Sequence, residues 1–219
     1  MEALWSLWSG FIISMVPWVE WMIMKTGLNI AVLFALMVFA SSAANAHDVI
    51  PGVSGFLGRV LHPFIITEHM FCLILAGLIA GLYGPRRIWI SFGALISGVV
   101  VGFLSQSVIP IIDWLWMLPL LSAVFSGLMV LSAAPLGTII WLFVIGVLGF
   151  SVGLETDPEG VFVIDKVQTL GGLVIAASIL LLIIGWLLRS TSRSWVRILA
   201  RVISSWITAI SMLVLALSL

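Results

Sequence analysis

From Pro63 onward the chain is a succession of apolar runs, each close to the length of a bilayer crossing and nearly free of charge. A helix needs about 20 mostly apolar residues to cross the hydrocarbon core. Inside that core every backbone N–H and C=O must find its partner within the protein, so uninterrupted runs become helices. Six spans are predicted: residues 63–83, 88–104, 111–131, 136–154, 169–188 and 202–219. A membrane barrel would instead alternate polar and apolar residues in short strands. Mean hydropathy of +1.31 and 8% charged residues exclude a soluble globule, which typically carries about 25%. The expected fold is all-α, a polytopic membrane helical bundle with the lipid bilayer as its first partner. A net charge of zero leaves no electrostatic footprint for nucleic acid. The single cysteine, Cys72, excludes an internal disulfide.

The first 46 residues read as an address rather than as architecture. Lys25 opens a positive region, residues 28–39 form an apolar core, and Ala44-Asn45-Ala46 is an A-x-A cleavage site. On this reading residues 1–46 are an N-terminal extension and signal peptide, residues 47–219 are the six-helix transmembrane domain, and the mature chain starts at His47. The competing reading makes residues 3–23 and 28–44 true membrane helices. Residues 47–61, with turn signals at Pro51-Gly52 and Gly55, are expected outside the membrane. Pro63 suits the first turn of the first span. Residues 155–168 are expected to form an acidic loop with a brief extended piece at 161–164.

Basic residues set the orientation. If His47 is delivered outward, Arg86, Arg87, Arg189, Arg193, Arg197 and Arg201 lie inside. Outside lie Asp48, Glu68, Asp113, Glu155, Asp157, Glu159 and Asp165, against Arg59 and Lys166. That excess of acids makes a cation-attracting outer surface. The location implied is the inner membrane of a bacterium, multi-pass, with a periplasmic mature N-terminus. Trp89, Trp186 and Trp195 fall near inner boundaries and Trp114 and Trp116 near an outer one, while Trp141 falls nearer mid-span and reads as packing. Gly77/Gly81, Gly98/Gly102 and Gly149/Gly153 are spaced for close helix approach.

Polar chemistry concentrates in His62-Pro63-Phe64-Ile65-Ile66-Thr67-Glu68-His69. Ionisable groups within a span are costly and mark function. Imidazole and carboxylate suit nickel, cobalt, copper or zinc, so His62, Glu68 and His69 are candidate ligands for a divalent transition metal. In an unbroken helix, residues seven apart lie about 10 Å apart along the axis. His62 and His69 therefore share an ion only if the chain before Pro63 folds back. Further ligands would come from Asp113, Glu155, Cys72 or His47, whose freed α-amine would make a two-nitrogen chelate. The plainer alternative has His62 capping a helix while Glu68 and His69 bond to each other or to the backbone.

The pattern His62-Pro63-x-x-x-x-Glu68-His69 resembles the H-P-x-x-G-x-D-H signature of the HupE/UreJ family. So does the Ala46-His47 junction, and Leu148-Gly149-Phe150-Ser151-Val152-Gly153-Leu154-Glu155 resembles the family's fourth-span H-G-x-A-H-G-x-E motif. Pro110-x-x-Asp113 is similar to its P-x-x-E element. The resemblance implies a small, signal-bearing, six-span protein associated with nickel or cobalt uptake. This chain departs at Ile66 (glycine in the motif), at Glu68 (aspartate), and at Leu148 and Val152, where the family has histidines.

Two functions follow as expectations. One is a transporter or permease taking a divalent cation at its periplasmic face. The other is a non-transporting accessory protein that binds a metal or a membrane-protein partner there, with a homo-oligomer also open. Enzyme chemistry is not expected. Gly52-Val53-Ser54-Gly55 superficially resembles the nucleophile motif of rhomboid-type proteases, but no histidine follows His69 to act as its base.

Overall fold

The computed structural model describes residues 55–108, 115–132, 136–156, 162–191 and 193–218. The expected signal peptide, His47 and Asp113 lie outside the described residues. Within them the chain is all-helical, with no strand: α1 Phe56–Ile65, α2 Thr67–Leu82, α3 Ile88–Ser105, α4 Met117–Ser132, α5 Thr138–Glu155, α6 Val163–Ser190 and α7 Ser194–Ser218. Four of these, α3, α5, α6 and α7, are long and apolar enough to cross a membrane, and α1 with α2 make a fifth if their bent pair counts as one span. The chain is a multi-pass membrane protein.

The first predicted span is broken. Pro63 stands in the last turn of α1, not in the first turn of a new helix, and residues 56–61 are helical rather than irregular. Gly55 opens α1 at φ 75, a region that only glycine enters freely. Ile66 is extended (φ −75, ψ 110), and the axis turns by 80° between α1 and α2. Proline has no N–H to offer, so the Arg59 carbonyl loses its helical partner. Against that stretch of backbone lies Gly172 of α6, where an added Cβ would come within 2.8 Å of the Arg59 oxygen. The bend keeps two bonds, Ile66 N–H to the His62 carbonyl (3.2 Å) and Met70 N–H to the Ile66 carbonyl (3.0 Å).

Of the extended piece expected at 161–164, residues 163 and 164 differ from expectation, and Val161 lies outside the described residues. Val163 and Ile164 are the first residues of α6, which begins six residues ahead of the predicted span. Asp165 explains the early start. Its Oδ2 accepts from the Phe162 N–H (3.3 Å), a carboxylate serving the helix N-terminus. Its Oδ1 accepts from the buried Arg59 guanidinium at 2.9 Å, joining α6 to α1. Arg59 also donates to the Gln168 side chain.

α2 is the axle of the bundle. It touches every other helix, and ten of its sixteen residues are buried. The most extensive pairing is α3 with α5, and glycines make it. A Cβ on Gly98 would lie 2.1 Å from the Gly146 carbonyl oxygen, on Gly102 2.2 Å from that of Phe150, on Gly149 2.4 Å from that of Leu95, and on Gly153 2.2 Å from that of Val99. Gly77 and Gly81 receive α6 in the same way, through Ile184 and Leu188. All three predicted glycine pairs are therefore helix contacts.

The two ends of the bundle differ. At one, α1, the start of α2 and α6 and the ends of α3 and α5 gather His62, Glu68, His69, Glu155 and the Arg59–Asp165 pair. At the other, Arg189 donates to the Ala80 and Arg86 carbonyls, tying α6 to the turn after α2. Arg86, Arg87, Arg193, Arg197 and Arg201 are exposed there. Trp141 is buried as packing, stacked on Tyr83 at 4.4 Å and 10°, but it sits in the first turn of α5 rather than at mid-span.

Candidate metal centre

The bend at Ile66 does what a straight helix forbids. It brings the His62 and His69 rings to a centroid separation of 6.4 Å, tilted by 56°. His69 is fully buried, and its Nε2 meets Oε2 of Glu155, the last residue of α5. Three elements thus contribute to one place: α1 with His62, α2 with His69 and α5 with Glu155.

Glu155 is held firmly from behind. Thr156 leaves the helix extended and its hydroxyl donates back to the Val152 carbonyl at 2.7 Å. The Gln106 amide, just past α3, donates to the carbonyls of Gly153 (3.0 Å), Leu154 (3.0 Å) and Thr156 (2.6 Å). These are carbonyls that a helix end leaves without partners. A carboxylate at a helix C-terminus is on the unfavourable side of the helix dipole. Glu155 is therefore not there for the helix; its position is explained by the imidazole it faces.

That pairing sets the chemistry of His69. A carboxylate only accepts, so Nε2 is the nitrogen that faces it with a proton, and Nδ1 is the nitrogen through which this ring would offer a lone pair to a metal. Nδ1 is buried with no hydrogen-bond partner among the described residues. Leaving such an atom unmet costs on the order of 1–3 kcal/mol. An imidazole that gives one N–H to a carboxylate and keeps the other nitrogen open is the arrangement in which histidine binds metals.

A second polar layer lies one turn deeper. Cys72, three residues after His69, has its Sγ 3.3 Å from the Pro119 carbonyl, 3.6 Å from Ser122 Oγ and 4.0 Å from Ser151 Oγ. The two serine oxygens are 3.0 Å apart, and Ser151 precedes Glu155 by one turn on α5. All three side chains are buried.

Glu68 stands apart. It is half-buried and forms no ion pair among the described residues. It lies about 100° around the helix from His69. In the first turn of α2 a carboxylate complements the helix dipole, which accounts for it without a ligand role. No three His, Cys, Asp or Glu side chains among the described residues converge as a ready metal-binding group.

Some of this was outside sequence reasoning. Gln106 belongs to no motif, and Arg59 read only as a surface charge. Ser151 stands inside the motif around Glu155, where nothing local sets it apart from a packing residue. The link from Glu155 to His69 spans 86 positions, and no local pattern announces it.

Residues 34–214 match the model of the HupE / UreJ protein family. The chain belongs to this family. Membership carries a link to nickel and cobalt handling and so a metal-related role. Neither a curated protein nor a solved structure matches the chain.

Proposed function

We propose that this HupE/UreJ protein is a permease for a divalent transition metal of the nickel and cobalt type. It takes the ion at the histidine end of the bundle, which faces the periplasm while the arginine end faces the cytoplasm. The observation that carries the reading is the open, buried Nδ1 of His69 with Glu155 holding the other nitrogen. His62 is the nearest second ligand, and with leucine and valine at the fourth-span positions 148 and 152 the pairing of His69 with Glu155 carries the site. Glu155 orients His69 and offsets the charge of the arriving cation. Asp113 and His47, outside the described residues, remain the proposed source of further ligands, and six spans following a cleaved signal are the proposed topology.

The second layer favours passage over mere binding. Cys72, Ser122, Ser151 and the Pro119 carbonyl offer an ion its next polar atoms about 5 Å further in, one helical turn. A non-transporting accessory role is the alternative reading.

Uptake of radioactive nickel or cobalt into proteoliposomes tests this, with wild type beside His69→Ala, Glu155→Gln and Glu68→Gln. A permease accumulates metal in the wild type and in Glu68→Gln, and loses it in the other two while all four elute as folded protein. Metal bound by the purified wild type, without flux, supports the accessory role. Absence of saturable metal binding by the wild type overturns the permease and the metal-binding form of the accessory role.

A further inference from the structure

At the end of the bundle opposite the histidines, α6 passes into α7 through an elbow at Thr191 (φ −115, ψ 118). A cleft of about 420 Å³ opens there, and its lining mixes aliphatic Leu187, Val196 and Leu199 with Ser190, Arg193 and Trp195. Charge around it has one sign. Arg86, Arg87, Arg193, Arg197 and Arg201 are exposed, and none pairs with an acid among the described residues. The described acids, Glu68, Glu155 and Asp165, all belong to the other end. Arg189 is already engaged with the Ala80 and Arg86 carbonyls, which leaves Arg193 as the cation of the cleft.

We propose that this cleft seats the headgroup of an anionic phospholipid. The Arg193 guanidinium takes the phosphate, a pairing it makes with two parallel N–H donors. Trp195, 54% exposed, sits at the headgroup boundary where indole rings collect. Leu187, Val196 and Leu199 line the first methylenes of an acyl chain. Free phosphate satisfies the guanidinium but has nothing to set against the aliphatic wall. A zwitterionic lipid brings a further cation to a region that already holds six arginines, whereas an anionic one supplies the missing counter-charge.

Native mass spectrometry of the full chain, stripped of lipid in detergent, is the test. The probes are phosphatidylglycerol, phosphatidylcholine and inorganic phosphate. Phosphatidylglycerol is expected to bind more tightly than phosphatidylcholine and to resist displacement by millimolar phosphate. Arg193→Gln is expected to weaken it about fivefold, the value of one juxtamembrane charge. Arg86→Gln, on the same end but outside the cleft, is expected to change it less. Equal loss in the two variants, equal binding of phosphatidylcholine, or displacement by phosphate would each overturn the proposal. Should Arg193→Gln not fold, quenching by bromine-labelled phosphatidylglycerol decides the matter. Wild type is expected to lose more fluorescence than Trp195→Phe, and no difference between them refutes the seat.

Discussion

Replacing Gly98 by alanine puts the fold and the metal site to the same trial. The added Cβ would lie 2.1 Å from the Gly146 carbonyl oxygen and 3.0 Å from Phe150 N, both backbone atoms that no rotamer can move. Ordinary contact begins above 3 Å, so α3 and α5 must part by about 1 Å. A radial gap of 0.5–1 Å forfeits a quarter to a half of each contact's dispersion energy. Overpacking of this kind costs about 1–3 kcal/mol, which lowers the unfolding midpoint by roughly 4–8 °C for about 2 kcal/mol in a chain of this size. Because α5 ends in Glu155, the same parting draws the carboxylate off His69 and weakens metal uptake. Gly93 is the control: it is on the same helix with nothing within 4 Å of its added Cβ. Gly93→Ala should be neutral or stabilising by up to about 1 kcal/mol from helix propensity. Thermal unfolding in detergent, followed by circular dichroism, reads both. If Gly98→Ala unfolds within 1 °C of Gly93→Ala, the close backbone crossing is wrong.

Three other outcomes are expected. Arg59→Ala strands the Asp165 carboxylate at a buried position and should cost about 3–5 kcal/mol by equilibrium unfolding, whereas Arg59→Met with Asp165→Leu should recover most of it. Trp141→Ala empties a fully packed site under Tyr83 and should cost about 3–5 kcal/mol in the same assay, while Tyr83→Phe keeps the stack and loses only a 3.4 Å bond to the Val130 carbonyl, about 1 kcal/mol or less. Cys72→Ser keeps a polar atom in the second layer and should retain nickel uptake, whereas Cys72→Val, which removes it without altering the bulk much, should slow uptake with the unfolding midpoint nearly unchanged.

The all-helical class, the location of most spans and the glycine pairs were legible because each rests on a local property: run length, hydropathy and four-residue spacing. The opposition of arginines to acids was legible for the same reason, since charge marks the ends of a span. The break at Ile66 was not. Pro63 is compatible both with starting a helix and with ending one, and only the fit of Arg59's backbone against Gly172, and of its guanidinium against Asp165, selects the second. The early start of α6 has the same origin, because Val163 and Ile164 suit a strand until Asp165 caps a helix beneath them.

Sequence alone determined that this chain lives in a membrane as helices and that two of its three histidines, His62 and His69, stand within eight positions of one another. It also marked three glycine pairs at which helices come close, since only glycine leaves that space. Tertiary structure decided which carboxylate meets His69: Glu155, 86 positions away, rather than Glu68 beside it. The physical reason is geometric. Neighbours on a helix point about 100° apart, so adjacent residues rarely share a site. A glycine-to-glycine crossing carries a distant helix end to the imidazole, whose other nitrogen has no partner among the described residues.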